Sequence, residues 1–136
     1  MSKQYNIFIS HSWNYDGHYQ KIVEMLKKEG LDFKDYSVPK DDPLHTNGTD
    51  KELYEAIKRK ISPCSVVIIM AGVYSSYSKW IDKEIKISKE EFTSAKKIIA
   101  VEPWASIKTS KKVKDNADEI VKWQAKSIVN AIKKLG

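Results

Sequence analysis

Cysteine and arginine are almost missing from this chain of 136 residues: Cys64 and Arg59 are each the only one of their kind. A lone thiol forms no intramolecular disulfide and offers no partner for a zinc site. A lone arginine argues against sequence-specific nucleic-acid reading, because bidentate arginine is the commonest reader of base edges. The formal net charge is still +6. Its lysines are interspersed with acids, so the charge reads as a solvated surface that can attract an anionic small molecule. No apolar run approaches the roughly 20 residues that span a bilayer. Residues 1–4 run straight into a strand, with nothing resembling a signal peptide. The expectation is one domain over residues 1–136, cytoplasmic, with no metal site, no membrane partner and no nucleic acid.

Several nucleotide-binding signatures are also missing. The sequence has no G-x-G-x-x-G after its first strand and no G-x-x-x-x-G-K-[ST]. Ser10-His11-Ser12-Trp13 contains no glycine, which excludes a flavodoxin-type phosphate loop. A receiver domain needs acids at the ends of strands one and three, where this chain has Ser10-His11-Ser12 and Ala71-Gly72. His11 lies beside serines, yet no G-x-S-x-G elbow supports a serine hydrolase.

What is present alternates between strand and helix. Residues 5–10 form strand one, and 11–17 a loop. Tyr19, Ile22, Val23 and Leu26 then recur at helical spacing, with Gly30 as the cap. Residues 31–36 hold a short edge strand, and 37–48 a long loop with Pro39, Pro43, Asn47 and Gly48. Thr49-Asp50-Lys51-Glu52 fits a capping box, and Leu53, Ile57 and Ile61 are the buried stripe of the helix it opens. Residues 65–71 are strand three, 78–93 a helix, 97–102 strand four, 119–123 a fifth strand, and Ala125, Ile128, Val129 and Ile132 mark a last helix. Residues 104–116 are irregular or hold one short helix. This pattern predicts a three-layer α/β fold with a five-stranded parallel sheet in flavodoxin-like order 2-1-3-4-5. The switch point then lies between strands one and three.

Trp80 and Glu84 follow strand three, four residues apart on one helical face. Ile81, Ile85, Ser88 and Phe92 form the neighbouring stripe, spaced to face a core. An aromatic plate and a single carboxylate therefore stand near the carboxyl end of a central strand, where open α/β sheets bind ligands. Hydrolysis of an O-glycoside usually needs two carboxyls. An N-glycoside to a pyridinium needs no acid for its leaving group. One carboxylate can stabilise the oxocarbenium charge, while Trp80 stacks on a flat base.

Residues 5–13, Tyr5-Asn6-Ile7-Phe8-Ile9-Ser10-His11-Ser12-Trp13, resemble the opening motif of TIR domains. Ser37-Val38-Pro39-Lys40-Asp41-Asp42-Pro43 falls at the BB loop of that family, and Trp80-Ile81-Asp82-Lys83-Glu84-Ile85 matches its W-x-x-x-E helix. The whole chain is similar to compact bacterial TIR-like proteins of the Thoeris anti-phage system, the ThsB type, and residues 98–103 and 123–132 fit that subgroup. The resemblance implies an NAD glycohydrolase or ADP-ribosyl cyclase with Glu84 catalytic. Ser10, His11, Ser12, Trp13, Tyr77 and Trp80 would contact substrate, and Pro39, Asp41 and Asp42 would serve assembly. NAD would be the substrate, with no resident cofactor. A cyclic or conjugated ADP-ribose product would activate a separate effector, after self-association or a phage-derived trigger. No sensor or effector domain is fused to the chain, so it would work through partners.

Plainer alternatives stand beside each assignment. Glu84 can be a solvated helix residue paired with a lysine, and Trp80 can pack beneath the preceding loop. His11, Ser10 and Ser12 can satisfy backbone groups, Tyr74 and Tyr77 can be loop packing, and Asp41 and Asp42 can be loop acids. Two rival functions remain: a non-catalytic TIR interaction module, and a deoxyribosyltransferase-like enzyme whose glutamate is a nucleophile.

Overall fold

The computed structural model describes residues 4–10, 16–36, 50–70, 79–102 and 111–136. Their elements are β1 (Tyr5–Ile9), α1 (Asp16–Lys28), β2 (Phe33–Asp35), α2 (Asp50–Ile61), β3 (Val66–Met70), α3 (Lys79–Glu90), β4 (Lys97–Glu102), α4 (Lys111–Asn116), β5 (Glu119–Lys122) and α5 (Ala125–Leu135). The strands form one five-stranded sheet in the order β2-β1-β3-β4-β5. All four pairings are parallel, with Ile9 opposite Ile68, Ile68 opposite Ile99, and Val101 opposite Val121. This is the order that the alternating pattern predicts.

Strand side chains alternate between faces, and each face of this sheet has its own core. Ile7, Ile9, Val66, Ile68, Ile99 and Val101 pack with Ile22 and Leu26 of α1 and with Ile128, Val129 and Ile132 of α5. Phe8, Val67, Ile69, Ile98 and Ala100 pack with Ile57 and Ile61 of α2, Ile85 and Ile87 of α3, and Val113 of α4. Burial on both faces explains why the central strands read as unbroken apolar runs. Among the described residues no helix is long and apolar enough to cross a membrane.

Most boundaries fall within a residue or two of the sequence expectation. β4 coincides with it, and β1 ends one residue early, although the Ser10 N–H still bonds Ile68 O at 2.9 Å. α1 opens at Asp16, inside the predicted loop, because its apolar periodicity begins only at Tyr19. α3 ends at Glu90 rather than 93, where Thr93 and Ser94 are weak helix formers. The short helix allowed within 104–116 is α4. The loop 37–48 and the capping residue Thr49 lie outside the described residues.

The end of α1 shows a cap read correctly from sequence. Gly30 has φ +76°. Its N–H bonds Lys27 O at 3.0 Å, and the Leu31 N–H bonds Leu26 O at 3.1 Å. That pair of bonds is a Schellman motif, with Leu31 and Leu26 in apolar contact across it. A Cβ at Gly30 would meet nothing within 4 Å, so only backbone conformation disfavours a side chain there. Gly30→Ala is expected to lower unfolding stability by about 1–2 kcal/mol, read from urea melts. An unchanged midpoint would show that the cap contributes nothing.

Candidate active site

β1 feeds a connection towards β2 on one side, and β3 feeds one towards β4 on the other. The strand order therefore reverses between β1 and β3, and a crevice at their carboxyl ends is the expected ligand site. Two described polar side chains belong to elements that adjoin those strand ends. Ser10 follows β1 and continues the face of Phe8, which looks towards α2 and α3. Glu84 lies on α3, the helix that follows β3.

Both are fully buried, with relative exposures of 0%. For Glu84 this overturns two sequence readings: it is not a solvated helix residue, and its face is not separate from the core stripe. Glu84, Ile85, Ile87 and Ser88 are all buried, and the stripe expected from sequence omitted Ile87. On a wheel of about 100° per residue, Ile87 and Ile85 flank Glu84 at about 60° and 100° to either side. The carboxylate therefore lies within the apolar arc of α3. Ile87 was the overlooked signal.

Burial out of water pushes the Glu84 carboxyl from about 4.5 up to about 8. The Ser10 hydroxyl is the secondary influence and acts in the opposite sense, favouring the ionised form. Its approach falls short of hydrogen-bond geometry, however. Both Glu84 carboxylate oxygens and Ser88 Oγ are without a hydrogen-bond partner among the described residues. Ser10 is thus a neighbour of the carboxylate rather than its anchor. Native buried polar groups are nearly always paired, and an exception calls for an explanation. A strongly perturbed, unpartnered carboxyl group is a functional-site signature.

The remaining predicted site residues divide by what the structure describes. The backbone of Trp80 lies in the first turn of α3, four residues before Glu84, but its side chain is outside the described residues. His11, Ser12, Trp13, Tyr77, Pro39, Asp41 and Asp42 also lie outside them. Ser88, read from sequence only as a core residue, is a polar neighbour of Glu84 that the sequence reading did not place in the site. Among the described residues no cluster of three or more His, Cys, Asp or Glu could hold a metal.

A groove of about 380 Å³ runs between α2 and α3, lined by Lys51, Tyr54, Asp82, Lys83 and Lys86. It is on the opposite side of α3 from Glu84 and is not the switch-point crevice. Beside it, the Tyr54 hydroxyl donates to Glu91 Oε2, and Lys58 Nζ approaches Glu91 Oε1 at 3.2 Å. Burial, together with that hydrogen bond, pushes Tyr54 up to about 12.

The Glu84 proton has a thermodynamic consequence. Between about pH 4.5 and 8 the folded protein retains this proton while the unfolded chain has lost it. Unfolding stability therefore falls as pH rises through that window, and this contribution levels off above it. Glu84→Gln should abolish the slope and be more stable than the parent by up to a few kcal/mol near pH 8, at about 1.4 kcal/mol per unit. Thermal melts of both proteins from pH 5 to 8 test this. Parallel curves would mean that Glu84 is hydrated after all.

The family model described as Thoeris protein ThsB, TIR-like domain, matches residues 8–108, well over half of the chain. The closing segment 123–132, also read as fitting that subgroup, lies beyond the match. Among solved structures the chain is similar to the Clostridium botulinum CMP N-glycosidase BcmB, at 13% identity, covering 95% of this chain and 98% of that one, with a TM-score of 0.49. A likeness that weak says nothing of substrate. No curated protein matches the chain.

Proposed function

The chain belongs to the family of Thoeris ThsB TIR-like domains, and from that premise we propose that it breaks the nicotinamide–ribose bond of NAD. The observation that carries this reading is a fully buried carboxylate, Glu84, with no hydrogen-bond partner among the described residues, at the sheet's switch point. A merely structural glutamate would be paired or solvated.

The chemistry follows from the charge of the substrate. When the bond from ribose C1′ to the pyridinium nitrogen breaks, its electron pair stays with nitrogen. Nicotinamide leaves neutral and needs no general acid. The positive charge moves to C1′ and the ring oxygen, where ionised Glu84 opposes it. Inside a water-poor site that attraction is far stronger than in solvent. At rest the carboxyl is held protonated by burial. An arriving pyridinium is a nearby opposite charge for the carboxylate, and opposite charges favour ionisation. Substrate binding thus ionises Glu84 and releases one proton.

Capture of the oxocarbenium by water gives ADP-ribose. Capture by a hydroxyl of the same molecule gives a cyclic product, and capture by an acceptor gives a conjugate; each route sheds one proton. The family resemblance favours a cyclic or conjugated signal, acting on a separate effector in anti-phage defence. By the same resemblance, a second copy or a phage-derived trigger would act through the loop holding Pro39, Asp41 and Asp42.

The test is nicotinamide release from NAD, followed by chromatography and mass spectrometry. The kcat/KM should rise with pH through about 8, the value of the free enzyme's carboxyl. Glu84→Gln should cost on the order of a hundred- to a thousandfold in rate while staying folded. A folded variant with unchanged turnover removes the assignment. If no turnover appears in any assembly state and phage protection survives Glu84→Gln, the protein is an interaction module.

Trp80 provides a second check. It precedes Glu84 by one helical turn, on the side of the carboxyl edge of the sheet. If its ring stacks on the base, Trp80→Ala should weaken substrate binding by roughly 1–3 kcal/mol, and Trp80→Phe should restore part of the loss. Unfolding of both variants would make Trp80 a core residue instead.

A further inference from the structure

Among the described residues, the buried polar or charged side chains are Ser10, Glu84 and Ser88. Two of these, Glu84 and Ser88, are four residues apart on α3 and so share one face of it. Helical side chains tilt towards the N-terminus, so Ser88 leans towards the turn that carries Glu84, about 6 Å away along the axis. Ser88 is 0% exposed and its Oγ has no partner among the described residues. A serine within a helix can return its proton to the carbonyl four residues back, and Ser88 makes no such bond.

The described core on this face of the sheet is otherwise apolar. Ile85, Ile87, Ile98, Ala100 and Val113 belong to the same core. A bare hydroxyl in such a place is unfavourable, and alanine would be the better helix former. The Ser88 backbone is also fixed: its carbonyl accepts the Lys96 N–H at 2.8 Å. A fixed backbone with an uncommitted hydroxyl proton beside an acid invites one use.

We propose that Ser88 is the positioning residue of Glu84, its hydroxyl donating to the carboxylate once Glu84 ionises. With Glu84 protonated, the hydroxyl has little to hold. With Glu84 charged, the serine rotor turns its proton onto the carboxylate, gives it one charge-assisted bond and fixes its orientation. Ser10 approaches the same group from the end of β1. Among the described residues no charged group acts on Glu84 from the packed elements. On α2, Lys58 and Tyr54 are engaged with Glu91. On β4, Glu102 is held by Lys114 and Lys122. Cys64, in the same core, is pushed up to about 12 by burial and stays neutral. On α3 itself Lys83 and Lys86 line the groove on the opposite side of the helix.

This inference deepens the proposed function and rests on Glu84 being used as an anion. Its primary test does not depend on turnover. The Glu84 carboxyl is titrated by carbon-13 NMR in the parent, Ser88→Ala and Ser88→Thr. The expected result is a Glu84 pKa raised by about one unit in Ser88→Ala, because loss of a donor to the charged form disfavours it, and restored in Ser88→Thr. Ser88→Ala should also melt higher at pH 5 and lose that advantage by pH 9. If the enzyme turns over NAD, the rising limb of its pH profile should move by the same amount, with kcat falling and KM steady. An unchanged Glu84 pKa in a folded Ser88→Ala protein overturns the inference. So does a stability change equal at every pH, which marks a packing role. If the pKa moves but no nicotinamide is released, the Ser88–Glu84 coupling stands and the NAD-cleaving reading is what fails.

Discussion

The arrangement depends on one unfavourable interaction: a carboxyl group taken out of water with no counter-charge among the described residues. Dehydrating an acid stabilises its neutral form, so Glu84 holds its proton where most glutamates have lost theirs. The protein tolerates this because two apolar cores, one on each face of the sheet, supply the stability that Glu84 removes. Stability lost at a reactive group is a familiar trade. Here it falls on a residue flanked on its own helix by buried Ile85 and Ile87.

The parallel sheet explains why that residue is where it is. Helices that return over a parallel sheet begin beside the carboxyl ends of the strands. The early turns of α3 are therefore at the crevice mouth and its later turns run down into the core. Glu84 is in the second turn, deep enough to be dehydrated. Ser88 is one turn further in, and the backbone of Trp80 is one turn further out. Ser10, kept in the ladder by its bond to Ile68, approaches from the sheet side. The functional series is thus laid out along a single helix, with depth set by the 3.6-residue turn.

Much of this was legible in the sequence. Buried strands announce themselves as runs such as Val66 to Met70, and Gly30 marks a helix end. Their alternation with helices fixes a parallel sheet. The W-x-x-x-E helix pointed to Glu84 as the acid of interest. Its burial is not legible from the stripe Ile81, Ile85, Ser88 and Phe92, which places Glu84 off the core face and omits Ile87. The polarity of Ser88 was hidden for the related reason that a small residue on an apolar stripe raises no alarm. Pairing across space carries no local signature, so Glu91 meeting Tyr54 and Lys58 from another helix was invisible too.

That last contact has a mechanical side. Glu91, just past the end of α3, is clasped by two side chains of α2, and the Ser88 carbonyl is tied to Lys96. Both ties lie at the end of α3, one to α2 and one to the residue that leads into β4. They fix where the helix stops against the sheet, and with it the depth at which α3 sets Ser88 and Glu84.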